Sequence, residues 1–516
     1  MKAIAGISIR VFAIAAVLFC RFDNAYSQKR NNIWCFGDSA GIDFGNLSNP
    51  SSFQSGMDAR GSCSSIADKN GSLQFYSSTS YKPLWSTGVI KLGAVYNSYH
   101  QLMQNGDTLI GRGWYNEIVI IPNPADSNLY YVFTAGVTSI YGLYYSVVDL
   151  SLGGGLGAVV QKNVQLQSFP IVDCLAAIKH GNGRDWWLIF RKSNVPTGGA
   201  NNDYYEYLIT PSGIINFNSQ SIGTPNSTNL ANICFNKEGN MFVFTNYQGM
   251  IEKYDFDRCT GIISNAINIL PERIIGGSYI NYLGSAISPD GDVLYVSYNN
   301  DSSVILQYDL TAANIAATED TIWKQTSPIN AAGYMRLAPD NKIYLSCAYV
   351  PLTAPMYPYA DSLYNVYNMN LSVINQPDSP GAACNFQPYS FYLGGKRTYW
   401  GLPNNPDYDM PRDSGSICDT IQWTGVENLQ ATHTGELFVS YVSAWQKLFV
   451  NGQQLKGSTY TLTVIDVTGR LIFKEKGRLR PPYFTKDLDC NGFSSGMYII
   501  NLTTDKEIQS KKFIKN

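Results

Sequence analysis

One pattern recurs along most of this sequence: a polar turn followed by a short run of apolar and aromatic residues. The runs are Leu73–Tyr76, Leu129–Phe133, Trp186–Phe190, Met241–Thr245, Val293–Val296 and Ile343–Cys347. Their first residues are separated by 56, 57, 55, 52 and 50 positions. Gly, Asn or Asp in each turn suits a tight hairpin, and each run suits a half-buried strand. This period predicts a β-propeller, because one blade cannot bury its own faces and must stack on its neighbours around an axis.

Composition supports an all-β chain with a large core. The 516 residues are 45% hydrophobic, include 45 Gly and 23 Pro, and show little helical periodicity after the first segment. The formal net charge of -2 is spread without basic runs except at the extreme C-terminus. Because nucleic-acid binding requires a basic surface, we expect no nucleic-acid partner.

Residues 1–27 have the features of an export signal peptide. Val11 to Phe19 form an apolar stretch too short to span a bilayer, and small residues precede a cleavage point between Ser27 and Gln28. No later run is long and apolar enough for a membrane helix, so the mature chain is expected to have no transmembrane segment. The mature protein is therefore predicted to lie beyond the inner membrane.

Several motifs in the repeat region resemble one family of propellers. They are Trp34-Cys35-Phe36-Gly37, Gly61-Ser62-Cys63-Ser64-Ser65, Tyr144-Tyr145-Ser146-Val147-Val148, Ser288-Pro289-Asp290-Gly291 and Gly401-Leu402-Pro403. Together they are similar to a propeller family of surface and secreted proteins in gliding, type IX-secreting bacteria. The resemblance covers about residues 32–404 and implies a propeller domain over 28–404, but the family has no single activity to transfer.

Residues 431–516 resemble the C-terminal sorting domain of type IX secretion, a small β-sandwich. The motif residues are Gly469 in a turn, Gly496 and Tyr498 at a corner, and Lys512 and Lys515 in the basic tail. The Pro-Asn-Pro that commonly opens such domains is missing. The resemblance implies the type IX secretion machinery as a partner, and a secreted or outer cell surface location reached through the periplasm. Residues 405–430 are predicted to be the linker.

Closing the ring requires one more unit than the six repeats. Arg397–Pro403 can supply an inner strand, while Ile33–Gly37 and Gly41–Phe44 supply the next two. Such a blade would join the ends of the domain and remove exposed strand edges. Seven blades are favoured, with six as the alternative.

The motifs that imitate catalytic sites lack their required context. Gly37-Asp38-Ser39-Ala40-Gly41 fits a nucleophile elbow, but that elbow needs a strand-to-helix turn. Gly153 to Ala158 imitates a dinucleotide fingerprint without the following helix. The histidines, His100, His180 and His433, have no metal-ligand spacing. No catalytic, cofactor-binding or metal residues are assigned, and no cofactor is expected.

Two pairs of residues leave alternatives open. Asp255 and Asp257 either present both carboxylates on one strand face or begin a turn that ends at Gly261, with the turn favoured. In an oxidising compartment Cys259 could pair with Cys384, although sequence alone does not establish this bridge.

Tyrosine is abundant, with 36 residues. A predicted insertion in the sixth blade carries Tyr357, Tyr359, Tyr364 and Tyr367, whose flat rings with polar tips would suit a glycan or a protein surface. The competing interpretation is that these rings cover the outer strands of that blade. A second, weaker candidate for a binding surface consists of Tyr204, Tyr205 and Tyr207.

Two functions follow. The favoured one is an exported, non-catalytic recognition or adhesion module delivered by type IX secretion, with a glycan or surface protein as ligand. The alternative is a secreted propeller hydrolase or lyase that acts on polysaccharide or peptide, with two carboxylates brought together by the fold.

Overall fold

The computed structural model describes residues 29–79, 93–137, 141–195, 198–328, 331–349, 361–419, 435–481 and 483–515. This part of the chain is all-β, with short 3-10 turns as its only helical segments. The strands of the first domain are β1 (Ile33–Phe36), β2 (Asp38–Asp43), β3 (Ser51–Asp58), β4 (Cys63–Ala67), β5 (Leu73–Ser78), β6 (Gly93–Asn97), β7 (Leu102–Leu109), β8 (Ile118–Pro122), β9 (Leu129–Gly136), β10 (Gly142–Asp149), β11 (Ala158–Gln167), β12 (Ala176–Lys179), β13 (Trp186–Arg191), β14 (Asn201–Thr210), β15 (Gly213–Asn226), β16 (Ala231–Phe235), β17 (Met241–Asn246), β18 (Ile251–Phe256), β19 (Ile263–Leu270), β20 (Ile274–Ile275), β21 (Ser278–Tyr279), β22 (Tyr282–Ile287), β23 (Val293–Asn299), β24 (Ser303–Asp309), β25 (Asp320–Gln325), β26 (Met335–Leu337), β27 (Ile343–Leu345), β28 (Asn370–Ile374) and β29 (Phe386–Tyr392).

These strands form a β-propeller, as the repeat predicts. In the described chain, blades 1 to 6 are antiparallel four-stranded units: β4–β7, β8–β11, β12–β15, β16–β19, β22–β25 and β26–β29. The six recurring runs of the sequence are the second strands of these blades, because each follows the hairpin turn that leaves a first strand. Blades 1 and 2 also join through a single parallel pairing of their outer strands β7 and β11.

The seventh blade consists of β1, β2 and β3. Strand β1 lies beside β4 of blade 1, where Ser65 Oγ donates a hydrogen bond to the Ile33 carbonyl at 2.7 Å. The expectation that Arg397–Pro403 forms the inner strand of this blade is wrong, since the segment adds only one bridge, between Arg397 and Asp38. Strands β1, β2 and β3 complete the ring, so the chain after Arg397 is not needed to close it.

The C-terminal domain is a sandwich of two sheets. Its strands are β30 (Glu436–Val442), β31 (Lys447–Gln453), β32 (Thr459–Asp466), β33 (Leu471–Arg478), β34 (Phe484–Asp489), β35 (Gly496–Thr504) and β36 (Ile508–Lys515). The sheet orders are β30-β31-β34 and β33-β32-β35-β36. Apolar residues that alternate along the facing strands, such as Leu448, Val450, Leu462 and Val464, form the core between the sheets.

This sandwich contacts the outer strand of blade 2. Lys162 N donates to Asn451 Oδ1 at 2.7 Å, and Asn451 Nδ2 donates back to the Lys162 carbonyl at the same distance. An apolar cluster beside this pair joins Tyr144 of the propeller to Phe449 of the sandwich. Polar pairing and apolar burial therefore cover the edge of β11. Within the described residues, no helix is long and apolar enough to cross a membrane.

Candidate functional site

The chain that follows the last blade runs back through the centre of the ring. We call residues 397–413 the axial segment. Near one face, Trp400 N donates to the Arg60 carbonyl at 3.0 Å. Deeper in, Asn404 Nδ2 donates to the carbonyls of Ile118 and Leu175, at 2.9 and 2.8 Å, which belong to neighbouring blades. The segment thus supplies hydrogen bonds to backbone groups that line the axis.

The axial segment then reaches the opposite face, which carries the turns between first and second strands. Tyr408 Oη donates to the Ile120 carbonyl at 3.0 Å, and Lys179 Nζ donates to the Tyr408 carbonyl at 2.6 Å. Asp413 N donates to the Gly181 carbonyl at 2.7 Å. These bonds fix the segment from one face of the ring to the other.

A covalent bond holds the end of this path. Cys418 forms a disulfide with Cys259, in the turn that follows blade 4 strand β18. The pairing of Cys259 with Cys384 that was considered from the sequence is therefore wrong, since Cys384 is a buried free thiol. Asp257 lies in the same turn, and its carboxylate accepts hydrogen bonds from Cys259 N and Thr260 Oγ1, as the turn interpretation expects. Asp255 does not belong to the turn, since it lies in β18 and accepts from Asn265 Nδ2.

A group of polar side chains closes the axis. Tyr334 Oη contacts the side-chain oxygens of Asn116 and Asn232. Arg336 Nη2 donates to Asn116 Oδ1 at 3.0 Å and also to Asn404 Oδ1. Asn116, Asn232 and Tyr334 are each 1% exposed, so this cluster, which we call the plug, excludes solvent.

Below the plug lies a cavity of about 480 Å³ that opens toward the turns. Arg336 and Asn404 lie at its inner end, and the exposed residues Lys29, Lys237 and Asn341 lie at its mouth. The polar residues in its wall are Asn31, Asn32, Asn236, Ser285, Asn405, Asp407 and Asp409. Its volume is within the range of small-molecule sites. The amides of Asn236, Asn404 and Asn405 are already hydrogen-bonded within the protein, whereas Asn32 Nδ2 and Asn341 Nδ2 have no acceptor among the described residues and can donate to a ligand.

The acidic groups of this wall are engaged with the protein. Asp409 Oδ2 accepts from Arg30 N at 3.1 Å, and its Oδ1 lies 3.5 Å from the Arg30 guanidinium. Burial raises the pKa of Asp409 above its usual range despite this partner. Asp407 Oδ1 accepts from Asp409 N at 3.0 Å. Behind the wall, burial lowers the pKa of Lys179 to about 8.

Two fully buried carboxylates lie near the other end of the axis. Glu117 Oε2 accepts from Thr79 Oγ1, Arg112 N and Gly113 N at 2.8 to 2.9 Å. Asp173 accepts from two consecutive backbone amides, of Tyr115 and Asn116. Burial raises the pKa of Glu117 to about 7 and raises that of Asp173 as well. Both are 0% exposed, so they hold a loop in place and do not face solvent.

The tyrosines predicted to form a binding loop lie apart from the cavity where they are described. Tyr357 and Tyr359 lie outside the described residues. Tyr364 Oη donates to Asp38 Oδ2 at 2.9 Å, with the Arg397 guanidinium 4.2 Å from its ring centre. Tyr367 makes edge contacts with the rings of Tyr349 and Tyr389. Tyr364 and Tyr367 are half-buried in the junction between blades 6 and 7.

The weaker tyrosine candidates belong to the packing of blades 3 and 4. Tyr204 is 0% and Tyr207 4% exposed, and Tyr205 stacks on Phe190.

His180 lies in the turn after β12, where Nε2 is 2.9 Å from the Cys259 carbonyl. Across the described ranges, no three His, Cys, Asp or Glu side chains gather in a way that could hold a metal ion.

The predicted motif residues of the C-terminal domain occupy turns and strand ends. Gly469 has a φ of +82° in the turn after β32, a conformation that favours glycine. Tyr498 Oη donates to the Ser494 carbonyl at 2.6 Å, beside Gly496 at the start of β35. Lys515 Nζ donates to the carbonyls of Cys490 and Phe493 in the loop between β34 and β35, whereas Lys512 is exposed.

Comparison with known families decides the nature of this domain. Residues 446–516 match the family model described as "Secretion system C-terminal sorting domain". The chain ends in a type IX sorting domain. This sorting domain marks the protein for export to the cell surface or for secretion.

Comparison with solved structures adds only distant similarity to propellers. The Pseudomonas aeruginosa periplasmic gluconolactonase is 11% identical, with 72% of this chain and 98% of that chain covered and a TM-score of 0.43. The propeller domain of Myceliophteria thermophila Cps50 is 8% identical, with 62% and 94% covered and a TM-score of 0.36. No curated protein matches the sequence.

Sequence reasoning missed the residues that build the cavity. Arg336 and Asn404 lie in no motif, and their meeting depends on the path of the axial segment. The one local signal is Pro403-Asn404-Asn405-Pro406 in the middle of the axial segment, where two prolines flank two amides. Such a stretch favours an extended chain, which leaves the asparagine side chains free to bond to other parts of the protein. The prediction of a linker over residues 405–430 took no account of this signal.

Proposed function

We propose that this protein is an exported recognition module whose propeller binds a small polar ligand of the saccharide class in the axial cavity. The observation that carries the proposal is the cavity itself. The plug closes one end, the axial segment forms part of the wall, and amide side chains line the space that leads to the exposed mouth. The Arg336 guanidinium and the amides of Asn32 and Asn341 suit ligands rich in hydroxyl groups, because each can complete hydrogen bonds that water would otherwise make.

The hydrogen bonds and burial of the acidic side chains fit a binding protein better than a hydrolytic enzyme. Glycoside hydrolysis needs two carboxylates that face the scissile bond. In the cavity wall, Asp409 is paired with Arg30 and Asp407 accepts a hydrogen bond from Asp409 N. The buried Glu117 and Asp173 are withdrawn from solvent. The function proposed here is therefore binding at the cell surface or in the medium, and not cleavage.

A glycan array probed with the full exported chain tests this function. Leu337, half-buried in the cavity wall, is changed to Trp to reduce the free volume, and Ile215, exposed on blade 3, is changed to Trp as the matched control. We expect binding to one class of saccharide, at least tenfold weaker for Leu337→Trp and unchanged for Ile215→Trp. Absence of binding to every glycan would overturn the proposal.

The same array tests the tyrosine segment, which stays a predicted binding site. The double substitution Tyr357→Ala with Tyr359→Ala removes two of its rings and changes none of the cavity residues. If the axial cavity is the site, this double variant binds as the parent does. Loss of binding in the double variant, with Leu337→Trp unaffected, would assign recognition to the tyrosine segment instead.

A further inference from the structure

The guanidinium of Arg336, at the inner end of the cavity, has N–H groups that no protein acceptor uses. A guanidinium carries five N–H groups. The two hydrogen bonds of Arg336 to protein acceptors both use Nη2, and Nε has no acceptor although it is buried. Within the described ranges, no carboxylate forms a salt bridge with Arg336. A cation thus lies at the end of a recessed cavity without an anionic partner.

The other charges around the cavity do not neutralise this cation. Asp409 is paired with Arg30, and Asp407 keeps its negative charge in the wall, where its cationic neighbours are Lys179 and Arg258. Lys29 and Lys237 add two exposed positive charges at the mouth, where Lys237 Nζ donates to Asn341 Oδ1 at 2.8 Å. An anion that enters would pass these lysines before it reaches Arg336, so both ends of the cavity favour negative charge.

The plug also fixes the orientation of the guanidinium. Asn116 and Asn404 accept from one nitrogen, and the guanidinium carbon lies 5.1 Å from the centre of the Tyr334 ring. Both Nη2 protons are used in this way, so Nη1 is the nitrogen that remains to donate to a ligand, and the positive charge of the guanidinium favours a carboxylate over an uncharged hydroxyl.

We infer that Arg336 recognises a carboxylate, so that the ligand of the axial cavity is an acidic saccharide such as a uronic acid. The amides of Asn32 and Asn341 then bind its hydroxyl groups, and the lysines at the mouth favour its approach. This inference rests on the proposed function of the same cavity and narrows its ligand from saccharides in general to those that carry a carboxylate.

Isothermal titration of the full chain with galacturonic acid trisaccharide, its methyl ester and the matching galactose trisaccharide tests the inference. We expect the acid to bind at least tenfold more tightly than the ester or the neutral sugar. Arg336→Met should bring the three affinities within about twofold of one another. Lys237→Met, which removes a positive charge at the mouth only, should keep most of the preference.

Each outcome decides one proposal. Equal affinity for acid, ester and neutral sugar in the parent chain, or a preference that survives Arg336→Met, overturns carboxylate recognition and leaves a saccharide-binding cavity. Absence of binding to all three sugars and to the glycan array overturns the proposed function as well. Because the ester comparison uses the unmodified protein, the test holds even if Arg336→Met does not fold.

Discussion

The guanidinium of Arg397 lies 2.9 Å from the carboxylate of Asp38, across 359 positions of sequence. Arg397 is 1% exposed, and the rings of Tyr364 and Tyr399 lie against its guanidinium. Asp38 belongs to β2 of the seventh blade, whereas Arg397 begins the axial segment. This pair therefore ties the first blade-forming strands of the chain to the point where the chain enters the axis.

Removal of the Asp38 carboxylate should lower the stability of the propeller. Asp38→Ala removes the carboxylate that accepts hydrogen bonds from Nε and Nη2 of the buried Arg397 guanidinium, and we expect the free energy of unfolding to fall by about 3 kcal/mol. Arg412→Met, which breaks the more exposed pair of Arg412 and Asp419, should cost no more than about 1 kcal/mol. Urea unfolding followed by tryptophan fluorescence measures both. Equal losses would contradict the structural role given to Arg397.

The disulfide should stabilise the propeller. The bond between Cys259 and Cys418 closes a loop across 159 positions, and it restricts the unfolded chain. Replacement of both cysteines by serine should lower the free energy of unfolding by roughly 2 to 5 kcal/mol. Reductant should lower the melting temperature of the parent chain and leave that of the double variant unchanged. A parent chain indifferent to reductant would show that the axial segment is held without this bond.

Stability should depend on pH through Glu117. Burial raises the folded-state pKa of this carboxyl to about 7, above its unfolded value. A raised acid pKa means that the folded state binds the proton more tightly, so stability falls as pH rises from about 4.5 to 7 and is then constant. For Glu117 the resulting decrease in the free energy of unfolding is on the order of 3 kcal/mol. Denaturant titrations at several pH values measure it.

The matched variant for this prediction is Glu117→Gln, which cannot ionise and keeps a similar shape. It should make the decline between pH 4.5 and 7 shallower, with Asp173 responsible for what remains, because burial raises its pKa too. Asp126→Asn, at an exposed turn, serves as the control and should retain the full decline. An identical pH profile for the parent and Glu117→Gln would refute this assignment.

Export should require the sorting domain. A chain that ends before residue 431 keeps the propeller strands and loses the region that matches the sorting-domain family. In a type IX-secreting host it should remain in the periplasm, whereas the full chain reaches the surface or the medium. Cell fractionation with antibody detection separates these outcomes. Equal amounts of both chains outside the cell would mean that another signal directs export.

The sequence predicted those parts of the fold that local patterns encode. The turn before Trp186 and the apolar run that follows it specify a hairpin by themselves, and the same logic holds for the five other blades. The plug could not be predicted in this way. Asn116 lies 220 positions from Arg336, and Asn404 lies 68 positions from it, so no local spacing records that their side chains meet.

The closing blade shows the same limit. Ile33–Gly37 and Gly41–Phe44 have the alternation of a hairpin, and β1 and β2 form there. Arg397–Pro403 has equal strand character, yet its backbone forms only one bridge with this blade. Gly401 passes so close to Gly61 that an added Cβ would lie 2.0 Å from the Gly61 carbonyl oxygen. Close packing at the axis, which a single sequence does not reveal, redirects this segment.

Hydrogen–deuterium exchange of the full chain, with and without the strongest ligand from the glycan array, shows which part of the propeller the ligand contacts. If the axial cavity is the binding site, exchange slows in residues 233–237, 335–341 and 403–410, which line it. Exchange in residues 361–369 and in the hairpin of β20 and β21 should not change. Protection confined to either of those two regions, with the cavity residues unaffected, would contradict the account.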